Sequence, residues 1–228
     1  MAMSGSGILP VCNWHTTAGK LPEQSRGSFK IVKRHIEEDK QLDMNGIFGY
    51  QSVYFCCPDN AINVLYDGDK DPASDPGGVW MSDSPYEYYG MAQLAARARP
   101  GKVLVGGLGL GILANMLANR EDIDGVTVVE LSDEVIHMVK PHLHPKVKVV
   151  HGDFLGEMSK LERQGIQFDT VVSDIYKSCG PEEDDLFIDT NMAMEENFPD
   201  AEILHWCFQE RYENELLMIH LASRGKRA

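Results

Sequence analysis

From residue 101 onward the chain repeats one kind of unit. Short apolar, β-branched runs alternate with helical stretches: "KVLVGG" then "GILANMLANR", "GVTVVEL" then "SDEVIHMVKPHL", "KVKVVHGD" then "GEMSKLERQG", and last "FDTVVSDIY". Runs this apolar, separated by helices, predict strands of a parallel sheet that is buried on both faces. Right-handed crossovers make such a sheet doubly wound. The expected class is α/β, with a mostly parallel sheet and helices on either side.

The first part of the chain follows another pattern. Residues 1–27 are rich in Gly, Ser, Pro and Thr without a period, and read as an irregular segment. Short β-like runs follow, "SFKIVKRHI" (28–36), "QSVYFCC" (51–57) and "NAINVLYDG" (60–68), and the "PDN" between the last two predicts a hairpin. "DGDKDPASDPGG" (67–78) reads as a loop and "VWMSD" (79–83) as one more strand. Ser84 or Asp83 is placed to cap a helix over 85–98, with Pro85 at its first position. The expected division is an irregular 1–27, a small β-rich region over 28–84 and a Rossmann-like nucleoside-binding domain over 85–228. Near the end, "AEILHWCFQERYENELLMIHLAS" fits one long helix, or a fifth strand followed by a helix. Periodicity allows both.

With 228 residues, 43% of them hydrophobic, the chain can bury one good core. A net charge of −14 argues against a nucleic acid or anionic membrane partner, because both need a basic face. It suits a cationic substrate such as a polyamine, although solubility alone also accounts for it. Five cysteines (Cys12, Cys56, Cys57, Cys179, Cys207), odd in number and without a CxxC pair, predict reduced thiols in a cytoplasmic protein. No apolar run approaches the ~20 residues of a membrane span. "MAMSGSGILP" lacks the basic and apolar regions of a signal peptide. His137, His142, His144 and His151 follow no metal-ligand spacing, so no metal is expected.

The chemistry concentrates in "VGGLGLG". Glycines between a strand and a helix let the backbone turn sharply, bring a ligand close and aim helix N–H groups at it. A dinucleotide fingerprint starting at Gly107 needs glycine at position 112, where Ile112 stands. The spacing Gly107, Gly109, Gly111 is instead that of class I S-adenosylmethionine-dependent methyltransferases. Glu130 ends the second strand, where a carboxylate accepts both hydroxyls of a ribose, and Leu131 beside it joins the nucleoside contacts. Asp153 ends the third strand, where it accepts from an adenine amino group, with Phe154 lining the ring; Asp174 ends the fourth. All three acids converge on the crevice where open α/β sheets bind ligands.

On these residues the chain resembles the spermidine synthase family, within the wider class I methyltransferase fold. "INVLYDG" is similar to the family's hairpin strand, "KVLVGGLGLG" to its "VLVIGGGDGG", "VTVVELSDEVI" to its "VEID..VI" and "VKVVHGDFL" to its third-strand acid motif. "VVSDIYKSCGPEEDDLF" follows the layout of "DSSDP.GPA..LF", and "AEILHWCFQ" that of the fifth strand, which favours strand over helix there. The resemblance implies ribose binding by Glu130, adenine binding by Asp153, and Asp174 as the aspartate that helps deprotonate an attacking amine.

There are departures. Leu110 stands at the loop's aspartate, "MSDSPYEYYGMAQLA" lacks the glutamate of "YhE", and "SDIYKS" replaces "DSSDP". They move the expectation from aminopropyl transfer with decarboxylated S-adenosylmethionine to methyl transfer from S-adenosylmethionine. A non-catalytic binder of the same nucleosides is the third reading. Asp174 and Tyr176 are the expected catalytic groups, with Tyr86, Tyr88 and Tyr89 as candidate pocket walls. The acceptor side looks shortened against the family, which suits a homodimer whose neighbour completes the pocket.

Overall fold

The computed structural model describes residues 17–35, 41–46, 49–54, 61–68, 76–209 and 211–214. For 41–46, 49–54, Thr17, His35, Pro76, Pro85 and Tyr86 it describes the backbone alone. The first sheet is antiparallel and gathers β1 (Gln24–Arg26), β2 (Phe29–His35), β5 (Ala61–Asp67) and β6 (Val79–Ser82) in that order; β3 (Gln41–Gly46) and β4 (Gly49–Tyr54) form a separate two-stranded ribbon. Among the described residues the hairpin expected between 51–57 and 60–68 is not formed, and 55–60 lie outside them. β4 pairs with β3, while β5 pairs with β2, Ile31 opposite Leu65, and with β6. Regular structure also begins earlier than expected: Thr17–Lys20 is a 3-10 turn and β1 precedes residue 27.

Helix α1 (Pro85–Arg97) starts where the sequence places it. The Ser84 hydroxyl accepts from the Glu87 amide at 3.5 Å and Pro85 opens the first turn. Asp83 does not cap; its buried carboxylate accepts from the Asn63 amide at 2.6 Å and ties β6 to β5.

The second sheet is the predicted one. It alternates β7 (Gly101–Gly106), α2 (Ile112–Ala118), β8 (Ile123–Glu130), α3 (Asp133–Val139), β9 (Val147–His151), α4 (Phe154–Arg163), β10 (Thr170–Ser173), α5 (Asp184–Asn197) and β11 (Glu202–His205). All its strand pairs are parallel, in the order β11-β10-β7-β8-β9. This is the doubly wound, Rossmann-like arrangement of an open α/β sheet. Alternation along each strand feeds two cores. Val103, Val105, Val126, Val128, Val172 and Leu204 join α1, α2 and α3 on one face; Leu104, Val129, Val171 and Ile203 join α4 and α5 on the other.

The fifth strand exists, and it ends at His205 rather than continuing through Phe208. Helix α5 carries no clear sequence signal: Phe187, Thr190 and Met194 are buried, but Ile188 and Met192 are exposed, which blurs the apolar stripe. Cys179 and Cys207, expected as free thiols, are joined in a disulfide with Cα atoms 5.2 Å apart. Cys12, Cys56 and Cys57 lie outside the described residues. Among the described residues no helix is long and apolar enough to cross a membrane.

Candidate active site

The C-terminal ends of β7, β8, β9 and β10 open into one cavity of about 440 Å³, walled on its other side by Phe29, Leu65, Trp80 and Met81 of the antiparallel sheet. Strand ends gather there because parallel strands all point the same way, and the crossover β7–β10 parts the loops at that edge.

The glycine loop forms one wall, and its glycines do different work. Gly107 (φ 91°) and Gly109 (φ 48°) line the cavity in left-handed conformations. A Cβ on Gly107 would run into the carbonyl of Asp174, and one on Gly109 into the sulfur of Met81. Gly111 (φ 73°) is the residue before α2; it is buried against Leu143 and is absent from the cavity lining. Leu110 is 1% exposed in the core, away from the cavity, with its amide on the sulfur of Met81. The position read as a missing acid therefore does not face the site.

Glu130 is held at the end of β8 by two amides at 2.8 Å: Leu108 donates to Oε2 and Ser132 to Oε1. Each oxygen keeps a lone pair for a further donor. Leu131, 70% exposed, is a large apolar side chain at the rim. Asp153 uses Oδ2 to cap α4 through the Gly156 amide at 2.8 Å, while Oδ1 has no hydrogen-bond partner among the described residues. Phe154 is buried beneath the cavity with its ring against Gly106. Two acids with spare acceptor capacity, apolar surface beside each and bare glycine backbone between them fit an adenosyl nucleoside.

Asp174 follows β10 and also lines the cavity. Burial pushes its carboxyl well above the usual carboxylate range, and the charges of Glu87 and Glu130 add to the shift. The sequence reading missed Glu87. It stands in the first turn of α1, faces the cavity and is raised by burial to about 7. Ser132 and the indoles of Trp80 and Trp206 were missed as well.

The tyrosines fare differently. Tyr176 lines the cavity, but its hydroxyl is engaged in the core, accepting from Ser173 Oγ at 3.0 Å and meeting His205 Nδ1 at 3.1 Å. Burial raises that phenol to about 12. Tyr89 is not among the cavity-lining residues, and Tyr88 packs on the core. The side chain of Tyr86 lies outside the described residues.

Fold and site together define a doubly wound α/β protein with an acid-lined crevice at its strand ends. No family model matches the chain, and no curated protein matches it. Solved structures do. A precorrin 8w decarboxylase from Methanobacterium thermoautotrophicum aligns over 60% of this chain and 67% of its own, with 18% identity and a TM-score of 0.41. A spermidine synthase from Thermotoga maritima aligns over 50% of this chain and 44% of its own (17% identity, TM-score 0.35). The DhpI–SAH complex aligns over 50% and 52% (21% identity, TM-score 0.38). The aligned region thus spans about half the length of each of the last two chains.

Proposed function

We propose that the chain is an S-adenosylmethionine-dependent transferase, most simply a methyltransferase acting on a small or medium-sized substrate. The observation that carries this reading is the convergence of Glu130, Asp153 and the bare Gly107–Gly109 backbone on one cavity. When bound, S-adenosylmethionine supplies a methyl group already activated by its sulfonium. Glu130 would accept from the ribose hydroxyls and Asp153 Oδ1 from the adenine amino group, with Leu131 and Phe154 against the base. Gly109, whose amide has no hydrogen-bond partner among the described residues, offers an N–H to the donor's carboxylate. Asp174 would hold the acceptor in line with the donor and take its proton. The indoles of Trp80 and Trp206 and the Met81 side chain keep water from the reacting atoms. Tyr176 has no catalytic part in this scheme, because its hydroxyl is committed to Ser173 and His205.

One observation favours a second reading, aminopropyl transfer. The cavity lining holds Glu87, Glu130, Asp153 and Asp174 and, among the described residues, no Lys, Arg or His, which suits a donor without a carboxylate. Calorimetric titration with S-adenosylmethionine, its decarboxylated form, S-adenosylhomocysteine and methylthioadenosine decides between them. Preference for S-adenosylmethionine and S-adenosylhomocysteine supports methyl transfer; preference for the decarboxylated form overturns it. Binding of none removes the nucleoside site.

A further inference from the structure

We propose that the Cys179–Cys207 disulfide is a redox latch. Closed, it holds the loop after β10 across the mouth of the cavity; reduced by a dithiol, it frees that loop and weakens binding of the nucleoside donor. The effect on the donor rests on the transferase reading above; the release of the loop does not.

The loop, 174–183, is a strap between the two walls of the cavity. It leaves the strand-end wall, where Asp174, Ile175 and Tyr176 line the space, and reaches the opposite wall, where the Lys177 ammonium lies 5.4 Å from the centre of the Trp80 ring. The hydrogen bonds described along 177–183 are internal to it. The Lys177 amide donates to Glu183 Oε1 at 3.2 Å, the Ser178 hydroxyl donates to Glu182, and the Gly180 amide donates to Ser178 Oγ at 2.9 Å. An exposed cation–ring contact holds weakly by itself. The firm tie is the disulfide, which crosses 28 residues of sequence to the turn after β11.

That turn carries another piece of the cavity wall. Trp206 lines the cavity, and its indole packs where Gly90 of α1 leaves room, since a Cβ there would meet the ring. Cys207 follows with φ 66°, and among the described residues it is the non-glycine residue with a positive φ. The Phe208 amide donates back to the Trp206 carbonyl at 2.7 Å. This φ and this bond are those of the rarer, strained hand of γ-turn, which a residue with a Cβ keeps where its surroundings impose it. The bridge is such a constraint, fixing the Cα of Cys207 5.2 Å from that of Cys179. Without it Cys207 is free to return to negative φ, and the turn bearing Trp206 loosens together with the strap.

The sheet does not depend on the bridge. β10 and β11 pair in parallel from Thr170 opposite Glu202 to Ser173 opposite His205, and the Trp206 amide donates to the Ser173 carbonyl at 2.8 Å. Opening the disulfide therefore acts on what lies beyond these strand ends. The two sulfurs also differ in access: Cys179 is exposed, whereas Cys207 is half-buried against the core that holds Phe187 and Phe208. A thiolate of the dithiol attacks the Cys179 sulfur, the bond to Cys207 breaks, and Cys207 leaves as a thiolate that takes a proton. The second thiolate of the reductant then displaces Cys179, which is protonated in turn, and the reductant departs as a cyclic disulfide. Two electrons and two protons have passed from the dithiol to the protein pair. A disulfide oxidant reverses the step.

The test compares the oxidised full chain with the same chain treated with dithiothreitol without denaturant. Reduction should leave far-ultraviolet circular dichroism unchanged, while trypsin cleaves after Lys177 roughly tenfold faster or more. The S-adenosylhomocysteine dissociation constant should rise roughly fivefold or more, and reoxidation should restore both readings. By linkage, the nucleoside-bound chain resists reduction by the same factor. Cys179→Ser combined with Cys207→Ser should behave as the reduced chain and ignore dithiothreitol. The proposal is overturned if reduction unfolds the chain, which would make the bridge a brace of the fold. It is equally overturned if cleavage after Lys177 is the same in both states, or if S-adenosylhomocysteine binds both equally tightly. Absence of S-adenosylhomocysteine binding in either state would sink the donor reading, and cleavage after Lys177 would still decide whether the latch opens.

Discussion

The amide of Leu108 donates to Oε2 of Glu130 at 2.8 Å, fastening the turn after β7 to the end of β8. Through this bond the acid read from the sequence as a ligand contact also shapes the loop beside it. Glu130→Ala leaves the Leu108 and Ser132 amides without their acceptor. It should cost about 2–3 kcal/mol in urea unfolding and weaken S-adenosylhomocysteine binding by roughly tenfold or more, since loop and ribose contact go together. Unchanged nucleoside affinity in a folded Glu130→Ala protein would remove Glu130 from the site.

Gly107 and Gly165 separate two reasons for a left-handed glycine. Both have positive φ, 91° and 73°, yet a Cβ on Gly107 would strike the Asp174 carbonyl, whereas one on Gly165 has nothing within 4 Å. Gly165→Ala should cost only the conformational penalty, about 1–2 kcal/mol. Gly107→Ala adds an overlap with backbone and should cost about 2–4 kcal/mol while shifting Asp174. Thermal melts of the two variants, with ligand titration of Gly107→Ala, check the difference. Equal melting temperatures would mean that the β7–β10 contact is slack.

How much of this was legible follows from which forces act locally. The βα repeats from residue 101 were readable because the central strands feed both cores, so most of their length is apolar. The false hairpin arose because "PDN" is a local turn signal, while β5 finds its partners far along the chain in β2 and β6. Leu110 misled for a similar reason. Its place in the motif suggested the cavity, but the positive φ of Gly109 and Gly111 on either side of it accompanies a side chain buried in the core. Glu87 was visible only as part of a capping pattern with Ser84; that the Ser84 amide donates to Ser82 Oγ instead, leaving the Glu87 carboxyl to face the cavity, is a matter of three dimensions.

Glu87 also predicts how stability depends on pH. Its carboxyl is raised from 4.5 to about 7 in the folded protein, so the fold binds this proton more tightly than the unfolded chain does. Stability from this group is fully present below pH 4.5 and lost as pH rises through 7, a loss of about 3 kcal/mol; Asp174 is shifted in the same direction. His205 acts oppositely: burial lowers it from 6.5 to about 3, and stability falls as pH drops from 6.5 towards 3. Glu87→Gln removes only the first contribution. The free variant should match the parent near pH 4.5 and exceed it increasingly up to pH 8, as followed by urea midpoints. A constant gap across that range would show that the carboxyl is not buried as a charge.

Tyr176 lines the cavity while its hydroxyl is bonded within the core. Its hydroxyl links Ser173 Oγ to His205 Nδ1, and His205 continues through Nε2 to Asn191 Oδ1 at 3.1 Å, a buried chain joining β10, β11 and α5. With His205 neutral, Nε2–H donates to Asn191, and Nδ1 accepts from the phenol. Tyr176→Phe keeps the ring against Phe208 and Phe187 but leaves Nδ1 without a donor. The expected cost is about 1–3 kcal/mol of stability, with S-adenosylhomocysteine affinity changed by less than about threefold, because the hydroxyl is already committed to Ser173 and His205. Calorimetry beside a urea melt reads both quantities. If stability holds while turnover of an identified acceptor collapses, the phenol belongs to the reaction and the buried chain is not its purpose.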